Sequence, residues 1–306
     1  MNRREFLKKS ALVGIGGFVA PSALDGLLKA ESLPDLTVVT APEPGLAVTK
    51  AVEAAGGIGR FISKGDSVVI KPNMAWDRRP EQAANTNPQV VATVVMLCFE
   101  AGASEVKVLD NPCDDARRVY VQTGIAQAAR EVGAQTPYMD SRKFRKIDLN
   151  GEVLKKWEVY QDVVEADRVI NIPIAKHHSL AGLTMSMKNW MGAIGGGRSR
   201  IHGNIDIALA DLAAFFKPSL TILDCIRILT KNGPQGGSLS YVKVLNTVVV
   251  GTDQVAVDAF GADLFETQAR RPEIANRARR YIRIAAERSI GRMDLENLNI
   301  TTLNLS

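Results

Sequence analysis

From residue 34 onward, short β-branched runs alternate with longer segments of helical period. Residues 36–40 (LTVVT) read as a strand and 46–55 as an amphipathic helix closed by Gly56-Gly57. Residues 67–71 (SVVIK) are a continuous β-branched run, the composition of a strand covered on both faces, and the run stops at Pro72-Asn73. Asn87 as N-cap and Pro88 in the first helical position open an apolar helix over 89–101. Further strands are expected at 106–109, 168–174, 220–223, 247–250 and 299–303. Helices are expected between them at 116–122, 124–132, 161–166, 183–191, 205–216, 254–265 and 272–288, with Asn204 and Asp253 as N-caps. Residues 138–160 lack a clear period and are expected to form a small irregular insertion or antiparallel edge.

This alternation predicts an α/β class: a mostly parallel, doubly wound sheet with helices on both faces, formed as one domain over 31–306. Open parallel sheets bind ligands at the carboxyl ends of their strands. Lys71 and Asn73, Asp110, Lys176 to His178, Asp224 and Asp253 each follow a predicted strand, so all are expected at that edge.

The 306-residue chain has a formal charge of +5, but the first thirty residues change what that charge means. Arg3, Arg4, Lys8, Lys9 and Lys29 stand there against Glu5 and Asp25, leaving only +2 for the rest. Arg3-Arg4-Glu5-Phe6-Leu7-Lys8 followed by the glycine-diluted apolar run 11–23 reads as a twin-arginine export signal over 1–30. The expected location is therefore periplasmic or otherwise outside the cytoplasm, with the translocation machinery as partner and the leader either cleaved or kept as an anchor. The modest remaining charge gives no footprint for nucleic acid. Beyond the leader, the longest apolar run, 90–99, is too short to span a bilayer. Cys98, Cys113 and Cys225 make neither a disulfide framework nor an iron–sulfur run.

All three histidines fall within 172–203. His177 and His178 are adjacent, so an extended backbone would aim them at opposite faces. His178 and His202 are candidates for proton transfer, with Lys188 as a desolvated base, nucleophile or anion anchor. Lys71, Asn73, Lys176, Asn189, Gly196 and Arg198 are candidates for holding an anion, the last two as part of a Gly195 to Arg200 cradle of free N–H groups and guanidinium forks. His177, His178, His202, Asp110 and Asp224 are the candidate ligands for a divalent or redox metal, although their spacing matches no standard zinc pattern. The eight arginines in 270–292 lie mostly on the polar side of the predicted late helix.

At Lys71-Pro72-Asn73, Lys176-His177-His178, Lys188-Asn189 with Gly192, and His202, the chain resembles the family known as domain of unknown function 362, over roughly 67–265. Some members of that family carry ferredoxin-like cysteine runs, which this chain lacks. The resemblance implies a shared site at Lys71, Asn73, His178, Lys188, Asn189 and His202 without assigning roles. The expected function is an enzyme using metal-assisted, redox or acid–base chemistry on a small anionic molecule. The alternative is a non-catalytic ligand-binding or assembly protein for a redox enzyme, holding a ligand in the same basic, glycine-rich crevice or docking through the late arginine helix; a third reading is a redox accessory protein using Cys113 and Cys225 with an externally supplied cofactor.

Overall fold

Side-chain alternation within the strands builds two cores on one sheet. The computed structural model describes residues 33–305, all but the first of them in the compact unit Pro34–Ser306. The export signal expected at 1–30 lies outside the described residues. Strand β1 (Leu36–Thr40) leads through helix α1 (Pro44–Ala54) to β2 (Ser67–Pro72), and α2 (Pro88–Glu100) leads to β3 (Glu105–Val108). In β2, Val68 and Ile70 face one core and Val69 the other, which is why an unbroken β-branched run suits it. Helices α1, α2, α3 (Ala116–Gln122) and α4 (Ile125–Glu131) cover the first face.

Strands β4 (Phe144–Asp148) and β5 (Lys156–Tyr160) form a separate antiparallel pair where the irregular insertion was expected. It is anchored by buried Asp211, whose carboxylate accepts the backbone N–H groups of Glu152, Val153 and Leu154 at 2.8–2.9 Å. After α5 (Gln161–Glu165), the expected strand 168–174 is broken at Pro173 into β6 (Arg168–Ile172) and β7 (Ile174–His178). Residues 183–191, expected as one helix, instead form β8 (Gly182–Thr184) and the single turn α6 (Ser186–Asn189). The remainder is α7 (Ile205–Phe215), β9 (Leu220–Leu229), β10 (Val242–Gly251), α8 (Gln254–Ala269), α9 (Pro272–Glu287) and β11 (Ile300–Asn304). Helices α7 to α9 cover the second face. Asn204 precedes α7 without a side-chain cap bond.

The sheet is mixed but mostly parallel, with the order β11-β1-β10-β9-β6-β2-β3, and β7 and β8 attached beside β9. Chain order reverses around β2, since β3 lies on one side of it and β6 on the other. The crevice beyond the carboxyl ends of β2 and β6 is thus a topological switch point.

Two expectations about that edge are corrected. Strand β10 is antiparallel to β9, so Asp253 lies at the opposite edge, where it caps α8 through Val255 and Ala256 N–H. Strand β9 does not stop at residue 223, so Asp224 lies inside it. Its carboxylate accepts the N–H groups of Asn87 and Ile226 and so tethers the start of α2.

Candidate functional site

Lysines from three elements converge at the switch point. Lys71 shares the pleat direction of Val69 and points to the second face, where its ammonium meets Asp110 Oδ1 at 2.8 Å, Pro72 O at 2.7 Å and Asn189 Oδ1 at 3.1 Å. Asp110 also accepts Met74 N–H at 2.6 Å and Asn111 N–H at 2.9 Å. Asn73 donates to Asn189 Oδ1 at 3.0 Å and accepts from Lys176 Nζ at 2.9 Å; Lys176 also donates to Ala84 O. Asn189 is itself oriented by donating to Lys71 O and, at 2.8 Å, to Asn171 Oδ1. Lys71, Asn73, Lys176 and Asn189 therefore form one hydrogen-bonded unit.

The charges in this unit do not balance. Lys71 and Asp110 neutralise one another. Among the described residues, neither Lys176 nor Lys188 has a carboxylate partner, and the hydrogen-bond partner of Lys188 is Met191 Sδ at 3.5 Å. Arg198 adds a third positive charge, but its guanidinium is taken up by the carbonyls of Asn111, Met191 and Pro112. It shapes the wall and the field of the site and does not present an open fork. Burial, followed by the nearby Lys188, pulls the Lys176 ammonium down to about 7. Burial likewise lowers Lys188 to about 8; the electrostatic interaction with Cys113 opposes this, while Arg198 and Lys71 add to it. Lys71 is also lowered by burial, against the opposing pull of Asp110.

The two histidines have fixed and opposite tautomers. His178 Nδ1 accepts the N–H groups of Leu180 and Ala181 at 3.2 and 3.1 Å, so its Nε2 carries the proton. Burial, then Lys188, holds His178 neutral, with its value pushed down to about 2. His202 Nδ1 lies 3.1 Å from Ser199 O, a group that only accepts, so this nitrogen donates and Nε2 keeps its lone pair. Burial and Lys188 lower His202 as well. The rings stack at 5.8 Å with planes 11° apart. The cluster can therefore hold an anion with Lys188, donate a hydrogen bond from His178 and accept a proton at His202.

Other expected residues go elsewhere. The pleat of β7 turns His177 away from His178, and its Nδ1 accepts Gly233 N–H at 2.9 Å. Gly196 lines a separate cavity beside Trp157, so the Gly195 to Arg200 cradle is divided between two places. The five expected metal ligands do not converge: Asp110 and Asp224 are occupied by Lys71 and by backbone N–H groups, and His177 faces away. Among the described residues, no group of three or more His, Cys, Asp or Glu side chains is placed to hold a metal ion. Cys113 is exposed and Cys225 buried, and both are free thiols. In the late helix region, Arg271, Arg279, Arg280, Arg288 and Arg292 are paired with carboxylates of this chain. No helix among the described residues is long and apolar enough to cross a membrane.

Two residues were not anticipated. Asn171 bonds both Asn189 and Ser186 O, and Asp258 accepts Ser186 and Met187 N–H to cap the turn carrying Lys188. Burial pushes Asp258 up to about 7. Each is a lone polar residue within an apolar segment, VINI and VAVDAF, and that was the available signal.

The lowered lysines give a signed pH dependence. Where folded values lie below the ordinary 10.5, the unfolded chain binds more protons, and stability rises with pH. Between about pH 8 and 10, the ligand-free protein should gain about 1.4 kcal/mol per pH unit for each lysine proton that differs. Urea unfolding across that range checks this, and Lys176→Met should flatten the slope. A flat wild-type profile would mean that the lysines stay charged in the fold.

Residues 68–263 match the family described as a domain of unknown function, DUF362. A thylakoid-associated protein of Synechocystis sp. is 27% identical over 231 residues, covering 70% of this chain and 68% of that protein. Among solved structures, a lactate racemase apoprotein from Thermoanaerobacterium thermosaccharolyticum is similar, with 14% identity and a TM-score of 0.47 over 74% of this chain. A protein from Thermotoga maritima is 10% identical, with a TM-score of 0.36 over 80% of this chain. The chain spans 56% and 58% of the lengths of these two structures.

Proposed function

Because the chain belongs to the DUF362 family and the family match spans the cation cluster, we propose that it is an enzyme acting on a small anionic molecule there. The observation that carries this reading is Lys188, only 9% exposed and, among the described residues, without an oxygen partner, beside a Lys176 that the described residues hold by neutral acceptors alone. A buried ammonium without a counter-charge is costly, and a carboxylate or phosphate entering from solvent removes that cost. In this reading Lys188 anchors the anion, His178 Nε2–H supports the oxygen on which charge develops, and His202 Nε2 takes or returns the proton. The twin-arginine leader makes an exported enzyme part of the same proposal, with the leader either removed or retained.

Calorimetric titration with phosphate, oxalate and acetate tests the binding half. At least one should bind saturably, and Lys188→Met should weaken it by about 100-fold, the loss of a charged hydrogen bond worth about 3 kcal/mol. Failure of all three to bind the wild type, or undiminished binding by Lys188→Met, would overturn the anion site. The competing reading is a non-catalytic binder that uses the same cluster and needs no proton acceptor. With a turned-over substrate in hand, His202→Ala should abolish turnover while leaving the affinity within a few-fold of wild type; unchanged turnover would remove His202 from the chemistry.

A further inference from the structure

The 3₁₀ segment Arg198–Asn204 has two sides. Arg198 and His202 turn toward the cation cluster, whereas Arg200, Ile201 and Asn204 line a separate cavity of about 470 Å³ between this segment and the β4–β5 pair. That volume is in the range of small-molecule sites. Leu154, Ile201 and Ala208 form an apolar part of its wall, and Trp157 supplies an aromatic face.

The indole is fixed in place. Trp157 Nε1 donates to Gly195 O at 3.0 Å, and Gly195 N–H donates to Glu158 O at 2.8 Å, so strand β5 and the glycine loop hold the ring together. The Arg200 guanidinium stands over the indole at 5.5 Å from the ring centre. A side chain at Gly197 would put its Cβ 2.7 Å from Arg200 Nε, so this glycine is needed to let the arginine lie there. Lys146 and Lys156 add positive charge to the same cavity, and Glu158 is the carboxylate that opposes them. The lining thus combines a flat aromatic face, an apolar wall and an excess of cations.

We propose that this cavity binds a planar aromatic acid, its ring laid against Trp157 and the apolar wall and its anionic group held by Arg200 and Lys156. An aromatic ring offers the indole an offset-stacked partner, and a carboxylate or sulfonate gives the guanidinium the bidentate acceptor that the indole face cannot. A neutral apolar ligand would leave the cavity's excess of cations over Glu158 unanswered, and a small inorganic anion would leave the aromatic and apolar part of the lining unused. The site is distinct from the cation cluster and does not depend on that cluster being catalytic.

The test uses 8-anilinonaphthalene-1-sulfonate, an aromatic anion, and N-phenyl-1-naphthylamine, its uncharged counterpart, titrated by their own fluorescence against the full chain. The sulfonate should bind about tenfold more tightly than the amine, the worth of one favourable ion pair. The double variant Arg200→Ala, Lys156→Ala should lose that preference while still binding the amine, and Trp157→Ala should weaken both probes. Lys188→Met, which empties the other site, should change neither. Equal affinities of the two probes in the wild type would identify a merely apolar cavity and overturn the proposal. Undiminished sulfonate binding by both cavity variants would place the probe elsewhere and overturn it as well.

Discussion

Replacing Lys71 with methionine is expected to cost about 3–5 kcal/mol of stability, because it leaves the Asp110 carboxylate buried without its counter-charge. Lys71 is fully buried and Asp110 is 1% exposed, so water cannot take over the role of the ammonium. The Met74 and Asn111 N–H groups remain as donors to the carboxylate, but they carry only partial charge. The substitution also removes the donor to Asn189 Oδ1, which Asn73 shares, so the chain of amides leading to Lys176 loses one of its fixed points. Urea unfolding of the two proteins at pH 7.5 measures the difference. A loss below about 1 kcal/mol would mean that backbone donors alone satisfy Asp110.

Gly192→Ala should be at least as damaging, for a steric reason. A Cβ at that position would overlap the Asp110 carboxylate and lie 2.7 Å from Lys71 Nζ. Its backbone is not in the left-handed region, so the glycine is required for space and not for conformational freedom. Gly192 also accepts Asn111 N–H at 2.9 Å, so moving the loop away would pull on the residue beside Asp110. The alternatives are to separate the ion pair or displace the turn after Lys188, and either should destabilise the fold by about 3 kcal/mol or more and abolish anion binding. Gly203→Ala is the control, since nothing among the described residues lies within 4 Å of its Cβ, and it should change stability by less than about 0.5 kcal/mol. Anion titration and urea unfolding of both variants decide the matter; a Gly192→Ala protein that still binds anions with wild-type affinity would show that the ion pair can shift at little cost.

The difference between Gly192 and Gly203 illustrates what the sequence could and could not convey. The strands β1, β2, β3 and β6 were legible because β-branched runs bounded by turn residues have few alternatives, and the capped start of α2 at Asn87 and Pro88 was legible for the same kind of local reason. Since β2 and β6 are parallel neighbours, the residues just beyond them had to meet, and Lys71, Asn73, Lys176, Lys188 and Asn189 are found within one network and its wall. Strand direction was not legible. Nothing within 247–250 tells whether it runs with or against its neighbour, and the antiparallel return from β9 to β10 is what sends Asp253 to the far edge. Asp224 was misplaced because a charged residue normally ends an apolar run, whereas here two backbone donors hold it inside the strand and burial raises it to about 6. The fate of the arginines in 270–292 depended on carboxylates far away in sequence, such as Asp35 and Asp211, which no local pattern connects to them.

The unequal exposure of the three thiols has a practical consequence. Cys98 and Cys225 are buried, the first raised by burial to about 12 and the second well above its ordinary value, so neither offers a reactive thiolate to a reagent in solution. Cys113 is exposed, its N–H bound to Ala75 O at 2.8 Å, on the loop whose carbonyls hold Arg198 and whose sulfur acts electrostatically on Lys188. A maleimide dye added to the unmodified protein therefore lands at one address, on the rim of the cation cluster. The native chain is ready to serve as its own optical sensor, reporting the arrival of a charged ligand without an engineered attachment point.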